Sequence, residues 1–239
     1  MEVNINNVKK NFGDKTAVDV QEFTIHQGDI LGLVGNNGAG KTTLFRIMLD
    51  LLKADQGEVL MTPKAGEEPI NPANSEEWKK ITGAYIDDGF LIDFLTPEEY
   101  FEFIAKICSL SKEQLNERLE VYVPFMADEI MNQKKLIRDF SAGNKQKIGI
   151  IAALLNEPKL LILDEPFNFL DPSSQNILKK LLVEYHQKTG ASILCSSHNL
   201  QHTVDISTRI ALLEHGVIIK DLSNEHGAAT AELENYFAV

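Results

Sequence analysis

The sequence predicts an α/β domain whose core of strands and helices is interrupted by an inserted α-helical subdomain. Three observations carry this prediction. Apolar runs suited to buried strands, residues 29–34, 159–164 and 191–196, recur along the chain, and the first two precede segments of helical periodicity. A glycine-rich loop joins the first of these strands to the first helix. From about residue 88 strand-like runs are missing for some fifty residues, and the segments read as helices. One domain spans 1–239, with a core of about 1–87 and 156–239 and a helical subdomain of about 88–155.

In chain order, residues 2–8 and 17–25 are short strands, with His26 to Asp29 as a turn. Strand 29–34, the glycine loop and a helix over 44–52 follow, with Gly57 punctuating the helix end. Residues 58–61 form a short strand, and 62–74, with Pro63, Pro69 and Pro72, an exposed loop or hairpin end. Ile81 to Ile86 is a candidate strand. Thr96-Pro97-Glu98-Glu99 starts a helix, with Thr96 as N-cap, Pro97 at the first helical position and Glu99 at the third. Helical segments run to about Lys135, and 141–155 is helical again. Strand 159–164, helix 173–189, strand 191–196, a hairpin around His215-Gly216 and a helix over 228–237 close the chain.

The loop Gly35, Asn36, Asn37, Gly38, Ala39, Gly40, Lys41, Thr42, Thr43 contains the pattern G-x-x-x-x-G-K-[ST]. Its glycines let several backbone N–H groups converge on one concavity that suits an anionic phosphate. The helix starting there adds the positive end of its dipole. Lys41 can reach β- and γ-phosphates, and the Thr42 hydroxyl can ligate Mg²⁺. A second feature completes the pattern. The apolar strand ending in Asp164-Glu165 delivers two carboxylates to the edge of a parallel sheet where ligands bind. Asp164 would hold Mg²⁺ through water, and Glu165 would orient and polarise an attacking water.

Composition narrows the class. The chain is 44% hydrophobic and 24% charged, as in an ordinary globular protein. A net charge of −12 argues against general nucleic-acid binding, and no nucleic-acid partner is expected. Two cysteines, Cys108 and Cys195, make no disulfide framework. The N-terminus lacks signal-peptide features, and no apolar run is long enough to span a membrane, so a cytoplasmic location is expected. His198 and His202 are spaced like a metal pair but lack the His-Glu-x-x-His pattern, so metal binding by them is not expected. Glu67-Glu68 and Glu76-Glu77 read as solvated surface.

Between the two phosphate-site motifs lies Phe140-Ser141-Ala142-Gly143-Asn144, which resembles the Leu-Ser-Gly-Gly-Gln signature of ATP-binding cassette (ABC) ATPases. Asn168 to Pro172 resembles that family's D-loop, Ser196-Ser197-His198 its switch histidine, and Lys10 to Gly13 the segment whose aromatic stacks on adenine. Nearly the whole chain is covered in the family's order. No Asn-Lys-x-Asp guanine motif is present. Within this family, the resemblance is nearest to ATPase subunits of bacterial peptide-antibiotic (bacitracin- and lantibiotic-type) exporters.

The resemblance implies a RecA-like sheet plus an antiparallel β subdomain, and ATP with Mg²⁺ as cofactors. It implies a homodimer or pseudo-dimer of nucleotide-binding domains, paired head to tail, and a separate transmembrane permease subunit that holds the chain at the inner face of the membrane. Lys41, Glu165 and His198 are the expected catalytic residues. Phe12, the loop 35–43, Ser141, Gly143 and Asp171 are the expected nucleotide contacts, with Ser141 and Gly143 capping the partner's ATP. Thr42, Asp87 and Asp164 are the expected metal ligands. By spacing, Asp87 takes the place usually held by the Q-loop glutamine, and an acidic residue there resembles the exporter ATPases named above. Ala142 and Asn144 are further departures compatible with activity, and Phe169 replaces a small D-loop residue. The competing expectation is an ABC ATPase of assembly, repair or translation. Coiled-coil or zinc insertions of repair members and the second cassette of translation members are missing here.

Overall fold

A computed structural model describes residues 1–237. Strands β1 (Glu2–Phe12), β2 (Lys15–Ile25) and β4 (Gln56–Thr62) make an antiparallel sheet with β1 in the centre. The second sheet has the order β5-β6-β7-β3-β8-β9, from β3 (Ile30–Val34), β5 (Thr82–Tyr85), β6 (Leu160–Leu163), β7 (Ser192–Ser197), β8 (Arg209–Glu214) and β9 (Val217–Ser223). Its first five members are parallel, and β9 closes it antiparallel to β8. The central strands β3 (Ile30–Val34) and β6 (Leu160–Leu163) are fully buried and almost wholly apolar because both faces are covered.

The helices are α1 (Lys41–Met48), α2 (Pro97–Ile107), α3 (Lys112–Glu120), α4 (Val123–Met126), α5 (Ala142–Leu154), α6 (Pro172–Thr189), α7 (Leu200–Ile206) and α8 (Thr230–Phe237). Between the two sheets Val3, Ile5, Phe45, Met48, Ile162 and Leu194 share one apolar core. On the other face, α2 to α6 pack with Leu161, Leu163 and Ile193 around Phe101, Phe125, Ile148 and Ile151. The inserted helices therefore share a core with the sheet.

Helix α5 is buried on nearly every side, from Gln146 to Leu154, as expected of a helix that is apolar all round. It sits close to β5 because Gly149 has no side chain: a Cβ there would lie 2.0 Å from the Tyr85 ring. That contact sets how closely the middle of α5 approaches the end of β5. Helix α2 begins as expected, with a complete capping box between Thr96 and Glu99.

Four local expectations shift. Helix α1 ends at Met48, short of Leu52, because Asp50 turns left-handed (φ 52°) and both Leu51 and Leu52 N–H groups fold back onto the Arg46 carbonyl. Gly57, read as helix punctuation, lies inside β4 beside the bulge in β1. Strand β1 continues past that bulge to Phe12. Helix α7 was not anticipated; its apolar residues are few, and Asn199 caps it by accepting from Gln201 N–H at 3.0 Å.

Candidate active site

Strand β3 feeds the glycine loop, and α1 leaves it, so the loop lies at the carboxyl edge of the parallel sheet. Gly40 has φ 112°, and a Cβ there would meet the Ala17 carbonyl at 2.3 Å, so only glycine fits at the helix entry. The first N–H groups of α1 have no partners further up the helix and point into the loop. Lys41 is buried, and its Nζ donates to the Gly35 carbonyl at 2.7 Å. The same Nζ lies 3.3 Å from Glu165 Oε1. A cavity of about 310 Å³ runs along the loop from Phe12 past Lys15 and residues 37–43 to Glu165. Phe12 presents an exposed ring at its mouth. A second cavity of about 330 Å³, between α4 and α6, contains none of these residues.

Strand β6 carries Asp164 to the same edge. The Thr42 hydroxyl donates to Asp164 Oδ2, and the Ser196 hydroxyl, from the end of β7, donates to Asp164 Oδ1. Burial pushes the Asp164 carboxyl up, and Glu165 adds to this; the two hydroxyls oppose it. Glu165 adopts a left-handed backbone (φ 47°) that is costly for a non-glycine residue. Its N–H donates to Ser196 Oγ at 2.8 Å and its carbonyl accepts from Gln146 Nε2 at 3.1 Å. Its carboxylate meets His198 Nδ1 at 2.8 Å. Lys41, Glu165 and His198 thus form one contiguous chain, next to the Thr42–Asp164–Ser196 chain.

The other expected site residues fall elsewhere. Ser141 caps α5, accepting from Asn144 N–H at 3.3 Å, and neither it nor Gly143 lines the loop cavity of its own chain. Gly143 lies against the Phe169 carbonyl, which would be 2.6 Å from a Cβ, so the signature segment and the D-loop are in contact. The Phe169 side chain is 73% exposed. Asp171 caps α6, with Oδ1 accepting from Ser173 and Ser174 N–H groups at 2.9 and 3.0 Å and Oδ2 from the Ser174 hydroxyl at 2.7 Å. Those bonds hold its carboxyl below the usual range. Asp87 Oδ2 accepts from Arg46 Nη2 at 3.0 Å and Oδ1 from Gly89 N–H at 2.9 Å. Asp88 instead lies 4.0 Å from Lys145 Nζ. The His202 ring packs on Phe167 with centroids 4.9 Å apart, and burial lowers its pKa.

Sequence reasoning missed four participants: Ser196, Gln146, Arg46 and Lys15. Ser196 had a signal, a hydroxyl at the end of a buried strand beside the acidic strand end. The others depend on tertiary proximity alone. Cys195, beside Ser196, is buried, and its thiol is pushed up to about 12.

The family profile described as ABC transporter matches residues 18–168. The Bacillus subtilis ABC transporter ATP-binding protein YhcH is 32% identical over 234 residues, covering 98% of this chain and 73% of that protein. The bacitracin transport ATP-binding protein BcrA of Enterococcus faecalis is 32% identical over 218 residues, covering 91% and 68%. Among solved structures, an ATP binding subunit of an ABC transporter superposes with a TM-score of 0.81 at 25% identity, over 100% of this chain and 94% of that one. The dimeric post-hydrolysis structure of the cassette MJ0796 with ADP and Pi superposes at 0.79 and 22% identity, over 93% and 99%, and supports the fold. With the phosphate loop, the acidic strand end and the signature segment in that fold's order, the chain belongs to the ABC transporter family as an ATP-binding, ATP-hydrolysing subunit.

Proposed function

We propose that this chain hydrolyses Mg²⁺-ATP at a site completed by a second nucleotide-binding domain, and so drives a separate membrane subunit that exports its substrate. The observation that carries this reading is the meeting of Thr42 and Asp164 beside the linked Lys41, Glu165 and His198. The donor set fits Mg²⁺: a hydroxyl and a carboxylate, both hard oxygen ligands, face each other at the start of α1. Bound there, the metal supplies neutralisation of phosphate charge. The loop N–H groups and the α1 dipole hold the triphosphate, and the Lys41 ammonium stabilises its charge. Glu165 orients the attacking water, held by His198 Nδ1 on one side and by its Ser196-anchored backbone on the other. Phe12 offers an exposed aromatic ring for adenine, with the Lys10 ammonium 5.7 Å from its centroid.

Ser141 and Gly143 are exposed to differing degrees at the start of α5, outside the chain's own cavity. That arrangement supports a role in capping ATP on the opposite protomer, with the helix N-terminus directed at the γ-phosphate. Asp171, bound up in its α6 cap, would act there by fixing the D-loop. A surface cleft between β5, α2 and α5, with Phe90 and Ile107 exposed at its edge, suits a helix of the membrane subunit. Among the described residues no helix is long and apolar enough to cross a membrane. A position on the cytoplasmic face through the permease follows from this reading. The relative named for bacitracin transport, together with Asp87, favours export.

The test uses two variants. Lys41→Ala should lose nucleotide binding. Glu165→Gln should bind ATP, hydrolyse it very slowly and accumulate as a dimer in light scattering. Unchanged ATP affinity in the first, or a monomer at saturating Mg²⁺-ATP in the second, would contradict the reading.

A further inference from the structure

Strands β5 and β6 are parallel neighbours with Tyr85 opposite Leu163. Two residues past that register point lie Asp87 on one strand end and Glu165 on the other, with Asp164 between them in position. Three carboxylates therefore crowd the sheet edge at which the triphosphate is bound. Uncompensated, they would repel it. Lys41 answers Glu165 at 3.3 Å. The answer to Asp87 is Arg46, at 3.0 Å.

Arg46 stands one helical turn after Thr42 on α1, hence on the same face. Its contact with Asp87 uses Nη2 alone, while the buried Nε has no hydrogen-bond partner. Both side chains are 43% exposed, so the pair is weak and exchangeable. Asp88, the next carboxylate, is paired instead with Lys145 on α5, at 4.0 Å.

We propose that Arg46 is a positioning residue: it holds Asp87 as a neutral pair beside the phosphate site, so that an acidic residue at this position does not oppose ATP binding. The proposal rests on the nucleotide-site reading above. Asp87 would turn to a metal only by giving up its contact with Arg46.

The experiment measures ATP affinity in chelator, by displacement of a fluorescent ATP analogue, with thermal melting as the folding control. Arg46→Gln leaves Asp87 uncompensated and should weaken metal-free ATP binding about threefold, the fold-change an exposed ion pair supports. Arg46→Lys should bind like the parent. Asp87→Asn should bind about threefold more tightly, by the same reasoning. The double variant Arg46→Gln/Asp87→Asn, neutral again, should return to parental affinity. If the double variant binds as weakly as Arg46→Gln, then Arg46 contacts phosphate itself and the counter-ion role is wrong. If neither single variant differs from the parent, the proposal is also overturned. Should Arg46→Gln fail to fold, an unchanged affinity in Asp87→Asn still overturns the proposal. Failure of the underlying site reading looks different: the parent and Lys41→Ala would then bind ATP equally.

Discussion

Replacing Ser196 by alanine removes one hydroxyl, but the structure gives that hydroxyl two jobs. It donates to the buried Asp164 carboxylate and accepts the Glu165 N–H at 2.8 Å. Ser196 is fully buried, so no solvent enters in its place. The lost bond to a charged group costs about 2 kcal/mol, and the orphaned N–H roughly 1 kcal/mol more. The expected loss is therefore about 3 kcal/mol, a large part of a typical domain's ~5–15 kcal/mol. The Glu165 backbone, strained at φ 47°, would also lose an anchor, and displacing the residue proposed to orient water should lower kcat by at least about tenfold. Urea denaturation monitored by tryptophan fluorescence, with Trp78 the single tryptophan, reads the stability. ATPase assays on the folded variant read the rate. A variant within about 0.5 kcal/mol of the parent and with parental kcat would refute the reasoning, because both hydrogen bonds would then be dispensable.

Three other outcomes are expected. Asp87→Gln should raise the Mg²⁺ concentration for half-maximal ATPase activity about threefold, since a full carboxylate suits Mg²⁺ better than an amide; superimposable Mg²⁺ curves would take Asp87 away from the metal. Gly149→Ala should destabilise by about 1–3 kcal/mol through collision with the Tyr85 ring, and Tyr85→Leu should relieve most of that in chemical denaturation; equal stability with and without Tyr85 would show that the close approach of α5 and β5 is not required. His202, its pKa lowered by burial against Phe167, contributes stability above its unfolded value of 6.5 that is lost as pH falls through its folded value. Melting temperatures taken downward from pH 7 should therefore fall less steeply in His202→Gln than in the parent.

The phosphate-loop side of the candidate site is legible in the sequence because its residues are local. Residues 35–43 carry the loop's backbone, its lysine and its hydroxyl in nine consecutive positions. Asp164 and Glu165 announce themselves by following a four-residue buried strand. What stayed hidden depends on strand order. Nothing in the sequence tells that β7 neighbours β6, which is what brings Ser196 to Asp164, or that β5 does so too, which is what brings Asp87 level with Glu165. Arg46 reads as an ordinary helical cation until that register is known. Helix α7 was missed for another reason. Seven residues with two buried positions give too little periodicity to recognise, and its place is set by packing on β3 and β7. The end of α1 was misplaced because Asp50 takes a left-handed turn that its neighbours Leu49, Leu51 and Leu52 do not signal.

The central claim is that each ATP is held by the phosphate loop of one protomer and the signature segment of another. Complementation tests it most directly. Lys41→Ala disables the loop and Ser141→Arg blocks the signature, so each variant alone should be inactive. In a head-to-tail heterodimer one site combines both lesions, and the other combines an intact loop with an intact signature. An equimolar mixture should therefore recover up to about a quarter of parental ATPase activity, half the dimers being mixed and each carrying one good site of two. Activity of the mixture no greater than the sum of the two inactive variants, or full activity in Ser141→Arg alone, would contradict the shared site.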